Sequence, residues 1–404
     1  VIPSATGTPA ALLDVLSTPL VDPEQPGRAQ SLAQGTAGVA LLHIERAYLG
    51  LGTWASAHAW VRAAAAGEIS AADTAGLYVG APAISFMLHA ASTDGADRYA
   101  PALMALDSQV VALAHRRVGA ALARIDRGEL PVFAEYDLLY GLTGIGQLLL
   151  RHAPAHDALE RILGYLIRLT EPLHIGGTVL PGWWASHDPD RLLPTPGGHA
   201  NFGLAHGITG PLALLSLAML RGIAVDGQVE AIGEICAHLD AWRQDGQHGP
   251  WWPQWITRDE CRARRASQAG PQRPSWCYGT PGIARAQQIA AVATGDITRQ
   301  QQVEHALSAC LSDPAQLARI TDIGLCHGWA GLYQTAWRAA QDALTPAIST
   351  RLPHLAESLV RHAETAAHEQ QGLLDGAAGL ALALHTATHV MPPISGWDSC
   401  LLIT

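Results

Sequence analysis

Cys277, Cys326 and His327 are the residues whose types and spacing carry the clearest chemical promise. They lie in two stretches, Pro274-Ser-Trp-Cys-Tyr-Gly-Thr-Pro-Gly282 and Gly324-Leu-Cys-His-Gly-Trp-Ala-Gly331. In each, a cysteine stands two residues before a Gly-x-x-G step, and in the second a histidine stands beside it. Cysteine and histidine are the donors zinc prefers. Structural zinc sites close with four protein ligands, whereas three leave a position for water or substrate. Three ligands therefore point to a metal that does chemistry.

The same step recurs along the chain, at Gly35, Gly141, Gly207, Gly279, Gly328 and Gly376, with a weaker copy at Gly80-Ala-Pro-Ala83. Seven copies at intervals near 50 residues are the mark of a repeat architecture. An apolar, alanine-rich run of helical length follows each step, and helices apolar almost all round are buried. Between them lie amphipathic segments. In 228–242, Val229, Ile232, Cys236 and Leu239 recur at helical spacing with polar residues between. Each repeat thus reads as a hairpin of one outer and one inner helix. An open solenoid needs polar caps at its ends, yet the first inner run (39–47) and the last (380–390) are as apolar as the rest. The expectation is an all-α fold, an α/α toroid closed from seven hairpins.

The repeat frame sorts the remaining polar residues. His206 stands directly before Gly207, the slot that His327 holds before Gly328. Repeats 4, 5 and 6 are neighbours in a ring, so His206, Cys277, Cys326 and His327 should converge at one end of the barrel. Asp137, four residues before Gly141, would sit near the mouth of an inner helix, where a carboxylate is ordinarily a cap. His43 and His89 lie inside apolar runs and read as core histidines. The tryptophan-rich linkers around Trp183–Trp184 and Trp251–Trp255 precede steps 4 and 5. They should lie on the face of the cysteines, either gripping an extended peptide or simply packing.

Composition sets the outer bounds. At 404 residues, 49% hydrophobic and 15% charged, the chain can bury a large core, and one repeat array suggests a single domain over 1–404. Net charge is −10, which argues against nucleic acid, whose phosphates need a basic patch. The one basic cluster, Arg262-Ala-Arg-Arg265, reads as a solvated loop. Six cysteines are too sparse for a disulfide scaffold and fit reduced thiols in a cytoplasmic setting. No signal peptide or membrane span is visible. Near the start, Ala10–Leu16 is a short helix candidate, followed by a proline-rich turn at Pro19–Pro26.

Four motifs in order, Asp137-x-x-x-Gly-x-x-Gly, Ala205-His-Gly-x-x-Gly, Trp276-Cys-Tyr-Gly-x-Pro-Gly and Cys326-His-Gly-x-Ala-Gly, resemble the lanthionine synthetase C-like family, the lanthipeptide cyclases. The resemblance covers nearly the whole chain. It implies a seven-hairpin toroid, one catalytic Zn²⁺ and thioether ring formation in a dehydrated precursor peptide. It implies Cys277, Cys326 and His327 as zinc ligands, and His206, Asp137 and Arg273 as catalytic positions. A lanthipeptide dehydratase and an export transporter are the expected partners, with membrane association through such a complex. Repeat 2 departs from the glycine pattern, away from the site.

The residues suit that reaction on physical grounds. A free thiol has a pKa near 8.5 and is the weaker nucleophile until a metal deprotonates it. Adding a thiolate to the β-carbon of dehydroalanine or dehydrobutyrine gives an enolate that must be protonated. Histidine suits the proton transfer and arginine the enolate oxygen. Two alternatives stay open: glutathione addition to dehydroamino acids in proteins, and a non-catalytic peptide-binding scaffold. Prenyltransferase-like barrels want an Asp, Cys and His ligand set, and toroidal glycosidases want a carboxylate pair in the cleft. Neither pattern is present.

Overall fold

The computed structural model describes the chain except residues 1–11, 14, 15, 20–25, 191, 193, 248 and 366–369. The helix candidate at Ala10–Leu16 and the turn at Pro19–Pro26 fall mostly outside the described residues. Among the described residues, thirteen principal helices follow, in two layers. The inner layer is α1 (Thr36–Tyr48), α3 (Ala81–Ala90), α5 (Leu142–His152), α7 (Thr209–Leu220), α9 (Thr280–Thr294), α11 (Trp329–Asp342) and α13 (Ala377–His389). The outer layer is α2 (Trp54–Ala64), α4 (Ala100–Asp126), α6 (Asp157–Arg168), α8 (Gln228–Trp242), α10 (Ile297–Ser312) and α12 (Leu352–Thr365). Each inner helix packs against the next, and α13 returns to α1, so the array is a closed α/α toroid.

Burial explains the division of labour. In α7 every residue from Thr209 to Ala218 is buried, as expected of a helix wrapped by protein on all sides. In α6, Leu159, Ile162, Leu163 and Leu166 turn inward while the charged residues stay wet. Side-chain caps start some of the outer helices: Thr53 accepts the Ser56 N–H before α2, and Asp296 accepts the Arg299 N–H before α10. In α8, Ile232, Cys236 and Leu239 are buried, but Val229 is exposed, contrary to its place in the apolar pattern. It sits in the first turn of the helix, on its exposed side.

A ring of backbone hydrogen bonds ties the seven loops that lead into the inner helices. The accepting carbonyl is in every case that of the residue two before the first glycine of the step. Ala33 accepts from Leu374 N (2.9 Å), Tyr78 from Leu32 N (3.0 Å), Leu139 from Tyr78 N (3.3 Å) and Ala205 from Leu138 N (3.0 Å). Cys277 accepts from Leu204 N (2.9 Å), Cys326 from Cys277 N (3.2 Å), and Leu374 from Cys326 N (2.9 Å). The circle closes at one mouth of the barrel, with both motif cysteines among its links.

The second glycine of each step has a packing reason. A Cβ on Gly38, Gly144, Gly210, Gly282, Gly331 or Gly379 would collide with the carbonyl oxygen six residues earlier, that of Leu32, Leu138, Leu204, Trp276, Leu325 or Leu373. Repeat 2 has Ala83 there. Its chain enters α3 differently, with Gly80 at φ 77°, a region that suits glycine.

Two features had no sequence signal. Six short strands pair as three two-stranded ribbons between α6 and α9: β1 (Leu173–Ile175) with β2 (Thr178–Leu180), β3 (His199–Asn201) with β6 (Trp255–Thr257), and β4 (Gln244–Gly246) with β5 (Gly249–Trp251). Their tryptophans are anchors: Trp183, Trp184, Trp251 and Trp252 are buried, with Trp184 Nε1 bonded to Gly197 O and Trp252 Nε1 to Leu239 O. Packing, not an open peptide grip, is the role of these four.

The second feature fills the lumen. Residues 395–403 are buried inside the barrel. Glu45, late in α1, accepts from Ile394 N, Ser395 N and Ser395 Oγ. Arg338 and Gln334 of α11 donate to Asp398, and Gln147 of α5 to Ser399 O. Tyr78 donates to Cys400 O and Trp276 Nε1 to Leu401 O. The segment therefore climbs from the far ends of the inner helices to the residue beside Cys277, and it closes the barrel beneath the site.

Candidate metal centre and active site

The hydrogen-bonded ring decides which side chains meet. Repeats 5 and 6 place cysteine at its linking position, and Cys277 N bonds to Cys326 O, so the two thiols are neighbours by construction. His327 follows Cys326 directly. One donor atom from each of Cys277, Cys326 and His327 lies within 4.8 Å of the others. Zinc holds sulfur at about 2.3 Å and imidazole nitrogen at about 2.0 Å, so donors this close are nearly arranged to share one ion. Cys277 is buried and Cys326 and His327 are half-buried, which leaves the cluster reachable from the mouth.

The three donors influence one another's protonation. Hydrogen bonding from Cys326 outweighs burial and holds the Cys277 thiol well below its ordinary pKa, with His327 adding to the effect. The same contact pushes Cys326 well above its own, so the two thiols titrate as a pair. His327 is raised to about 9, first by Asp322 and then by Cys277. Its Nε2 lies 3.3 Å from Asp322 Oδ2.

On the other side of Cys277 stands a histidine–carboxylate pair. His206 Nδ1 is 2.6 Å from Asp137 Oδ2. The other oxygen, Oδ1, accepts the N–H groups of Tyr140 and Gly141, each at 2.7 Å. Asp137 is thus a loop cap and the partner of His206 at once, and its side chain is wholly buried. Burial works to lower the His206 pKa, but the Asp137 hydrogen bond, its charge and the charge of Cys277 together raise it. Phe133 stacks on the imidazole at 5.5 Å, and Tyr278 lies 6.3 Å away. Asn201, from β3, donates to the Tyr278 hydroxyl at 3.0 Å.

Arg273 completes the set. Its charge acts on Cys326, His327 and Asp322, and its Nε is buried with no hydrogen-bond partner among the described residues. A buried guanidinium nitrogen without a partner is a donor awaiting an oxygen. The structure thus brings Cys277, Cys326, His327, His206, Asp137 and Arg273 to one mouth. His43 and His89 lie elsewhere: His43 bonds Leu16 O and Ser56 Oγ, and His89 meets Asp107 and stacks on His152.

Three neighbours escaped the sequence reading. Tyr278 and Asp375 occupy the slot directly before the first glycine, the slot of His206 and His327, and that register could have flagged both. Burial raises the Asp375 pKa, and its Oδ1 is buried without a hydrogen-bond partner among the described residues. Asp322 lies outside the frame and gave no signal. A second group able to ligate lies on the outer layer, with His115 half-buried and His156 and Asp157 exposed; there His156 Nδ1 already caps Ala158 N–H at 3.1 Å.

Known proteins bear out the architecture. The solved structure of nisin cyclase superposes with a TM-score of 0.80 at 20% identity, covering 97% of this chain and 96% of that one. A curated relative, nisin biosynthesis protein NisC of Lactococcus lactis subsp. lactis, is 25% identical over 205 residues, which is 50% of this chain and 48% of that protein. The chain therefore aligns with about half the length of that relative. A family model described as lanthionine synthetase C-like protein matches residues 28–402. With that match across nearly the whole sequence, the chain belongs to the lanthionine synthetase C-like family.

Proposed function

We propose that the chain is a single-domain, zinc-dependent cyclase. It forms lanthionine and methyllanthionine rings by adding cysteine thiols of a precursor peptide to dehydroalanine and dehydrobutyrine in the same peptide. One observation supports this above the rest: a three-donor Cys₂His cluster lies beside a histidine–carboxylate pair at an accessible mouth. Cys277, Cys326 and His327 would hold the ion, and zinc bound there would lower the pKa of an incoming thiol and present it as a thiolate.

The remaining steps belong to side chains. Asp137 holds His206 by Nδ1, leaving Nε2 free to accept the thiol proton. The new C–S bond forms at the β-carbon, and the alkene electron pair moves toward the peptide carbonyl as an enolate. The partnerless Nε–H of Arg273 suits that oxygen. His206, now protonated, returns the proton to the α-carbon, so the addition is balanced with no external reagent. Phe133 and the plug at 395–403 exclude bulk water from two sides.

Among the described residues no helix is long and apolar enough to cross a membrane. A cytoplasmic location, with a dehydratase and an export transporter as partners, is part of the proposal. The test is to incubate the protein with a synthetic peptide containing one cysteine and one dehydroalanine. The proposal expects loss of the free thiol at unchanged mass, accelerated by wild type and not by Cys277→Ala. A glutathione adduct formed only when glutathione is supplied would favour intermolecular addition. Binding without thiol loss would favour the scaffold.

A further inference from the structure

We infer that Asp322 is a positioning residue for the metal centre, turning the His327 ring so that Nδ1, and not Nε2, is the ligand atom. The inference deepens the cyclase proposal and rests on its zinc site. Two contacts carry it. Asp322 Oδ1 accepts the Gly324 N–H at 2.6 Å, which fixes the carboxylate in the plane of its own loop. Oδ2 then lies 3.3 Å from His327 Nε2.

The loop around them is tight. Asp322 O accepts from Trp329 N at 3.1 Å, and Gly324 O accepts from Gly328 N at 3.1 Å and Gly331 N at 3.2 Å. Gly324 has no room for a side chain, since a Cβ would meet Leu374 O, the Asp375 Cα and Asp322 Oδ1. Carboxylate and imidazole are therefore held on one short, folded piece of backbone at the start of α11. With Nε2 turned toward Oδ2 at 3.3 Å, Nδ1 is the ring nitrogen left for the metal. A ligating histidine ordinarily gives its other N–H to such a partner, which fixes its tautomer and raises its basicity.

The geometry repeats across the mouth. Asp137 also spends one oxygen on backbone N–H groups and turns the other to a histidine. There the paired nitrogen is Nδ1, which frees Nε2 of His206 for a proton. At His327 it is Nε2, which frees Nδ1 for an ion. The same device thus prepares one imidazole for proton transfer and the other for coordination.

The test is zinc affinity, measured on the full chain by competition with a chromophoric chelator, with the Co²⁺ absorption spectrum as a second readout. Asp322→Asn keeps an oxygen for Gly324 N–H but offers Nε2 an amide donor, while Asp322→Ala removes both contacts. Both should weaken zinc by about 10- to 100-fold and alter the Co²⁺ bands. In a His327→Cys background, which keeps a ligand but has no ring for Asp322 to hold, Asp322→Asn should weaken zinc no further. An Asp322→Asn protein with wild-type affinity and spectrum overturns the inference and leaves Asp322 as a loop cap. Equal weakening with and without His327 overturns it too, since the effect would not pass through that ring. Wild type that takes up no zinc overturns the inference together with the cyclase proposal beneath it.

Discussion

His206 and Asp137 come from different hairpins, 69 residues apart in sequence, yet their Nδ1 and Oδ2 atoms lie 2.6 Å apart. The ring of loop hydrogen bonds explains the encounter, because Leu138 N bonds to Ala205 O and so sets the residues beside each link next to one another. The pairing leads to the first prediction. Asp137→Asn removes the charge that raises the His206 pKa, so the acid limb of the pH–rate profile should move to lower pH. The rate should fall by about 10²- to 10⁴-fold. The sign follows from protonation: a base must be neutral to act, and wild-type His206 becomes neutral only above its raised pKa. Conversely, the contribution of this pair to folding is full below the unfolded pKa of 6.5 and is lost as pH rises through the folded value. Thiol-loss rates across pH, wild type beside variant, check the shift.

Zinc uptake should depend steeply on pH. In the metal-free protein Asp322 and Cys277 raise the His327 pKa to about 9, and the Cys277–Cys326 contact that lowers one thiol pKa raises the other, so protons are held on the trio at neutral pH. These must leave before the ion can bind, so affinity should rise with pH and binding should release protons near neutrality. Calorimetric titration in buffers of different ionisation enthalpy counts them. Release of none would show that the trio is already deprotonated.

Stability should hinge on the plug in the lumen. Asp398 is wholly buried and takes two hydrogen bonds from Arg338, at 2.7 and 2.8 Å, and one from Gln334 at 2.7 Å. Asp398→Ala leaves Arg338 without its carboxylate, at a cost of about 3 kcal/mol or more. Chemical denaturation measures the loss. Because Trp276 Nε1 bonds Leu401 O at 2.8 Å, the same variant should also weaken metal retention at Cys277.

The insertion tryptophans supply a contrasting case. Trp252 is buried and bonds the Leu239 carbonyl of α8. Trp252→Ala should therefore destabilise the fold by about 3–5 kcal/mol while peptide affinity per folded molecule stays unchanged. A variant of wild-type stability that has lost peptide binding would restore the gripping role.

Much of this was legible because the repeat frame is also a mechanical frame. The residue two before the first glycine links the hydrogen-bonded ring, and the residue after it occupies the slot shared by His206 and His327, so register alone gathered Cys277, Cys326, His327 and His206. The toroid's closure followed from apolar runs at both ends of the array. Arg273 and Asp137 needed the family resemblance, since nothing in their own spacing separates a catalyst from a cap or a loop arginine. Asp322 was hidden because its role depends on how a six-residue loop folds over α11, which no periodicity records. The plug at 395–403 was invisible for a related reason: Asp398 and Glu45 find their partners across the lumen, and such contacts leave no local pattern.

Elemental analysis of zinc in freshly purified, chelator-free protein, with Cys277→Ala and His327→Ala alongside, tests the central claim most directly. The expected result is about one zinc per chain in wild type and loss of that zinc in both variants. Wild type without zinc, or variants that retain it, would contradict a Cys277–Cys326–His327 metal centre and the thiol activation built on it.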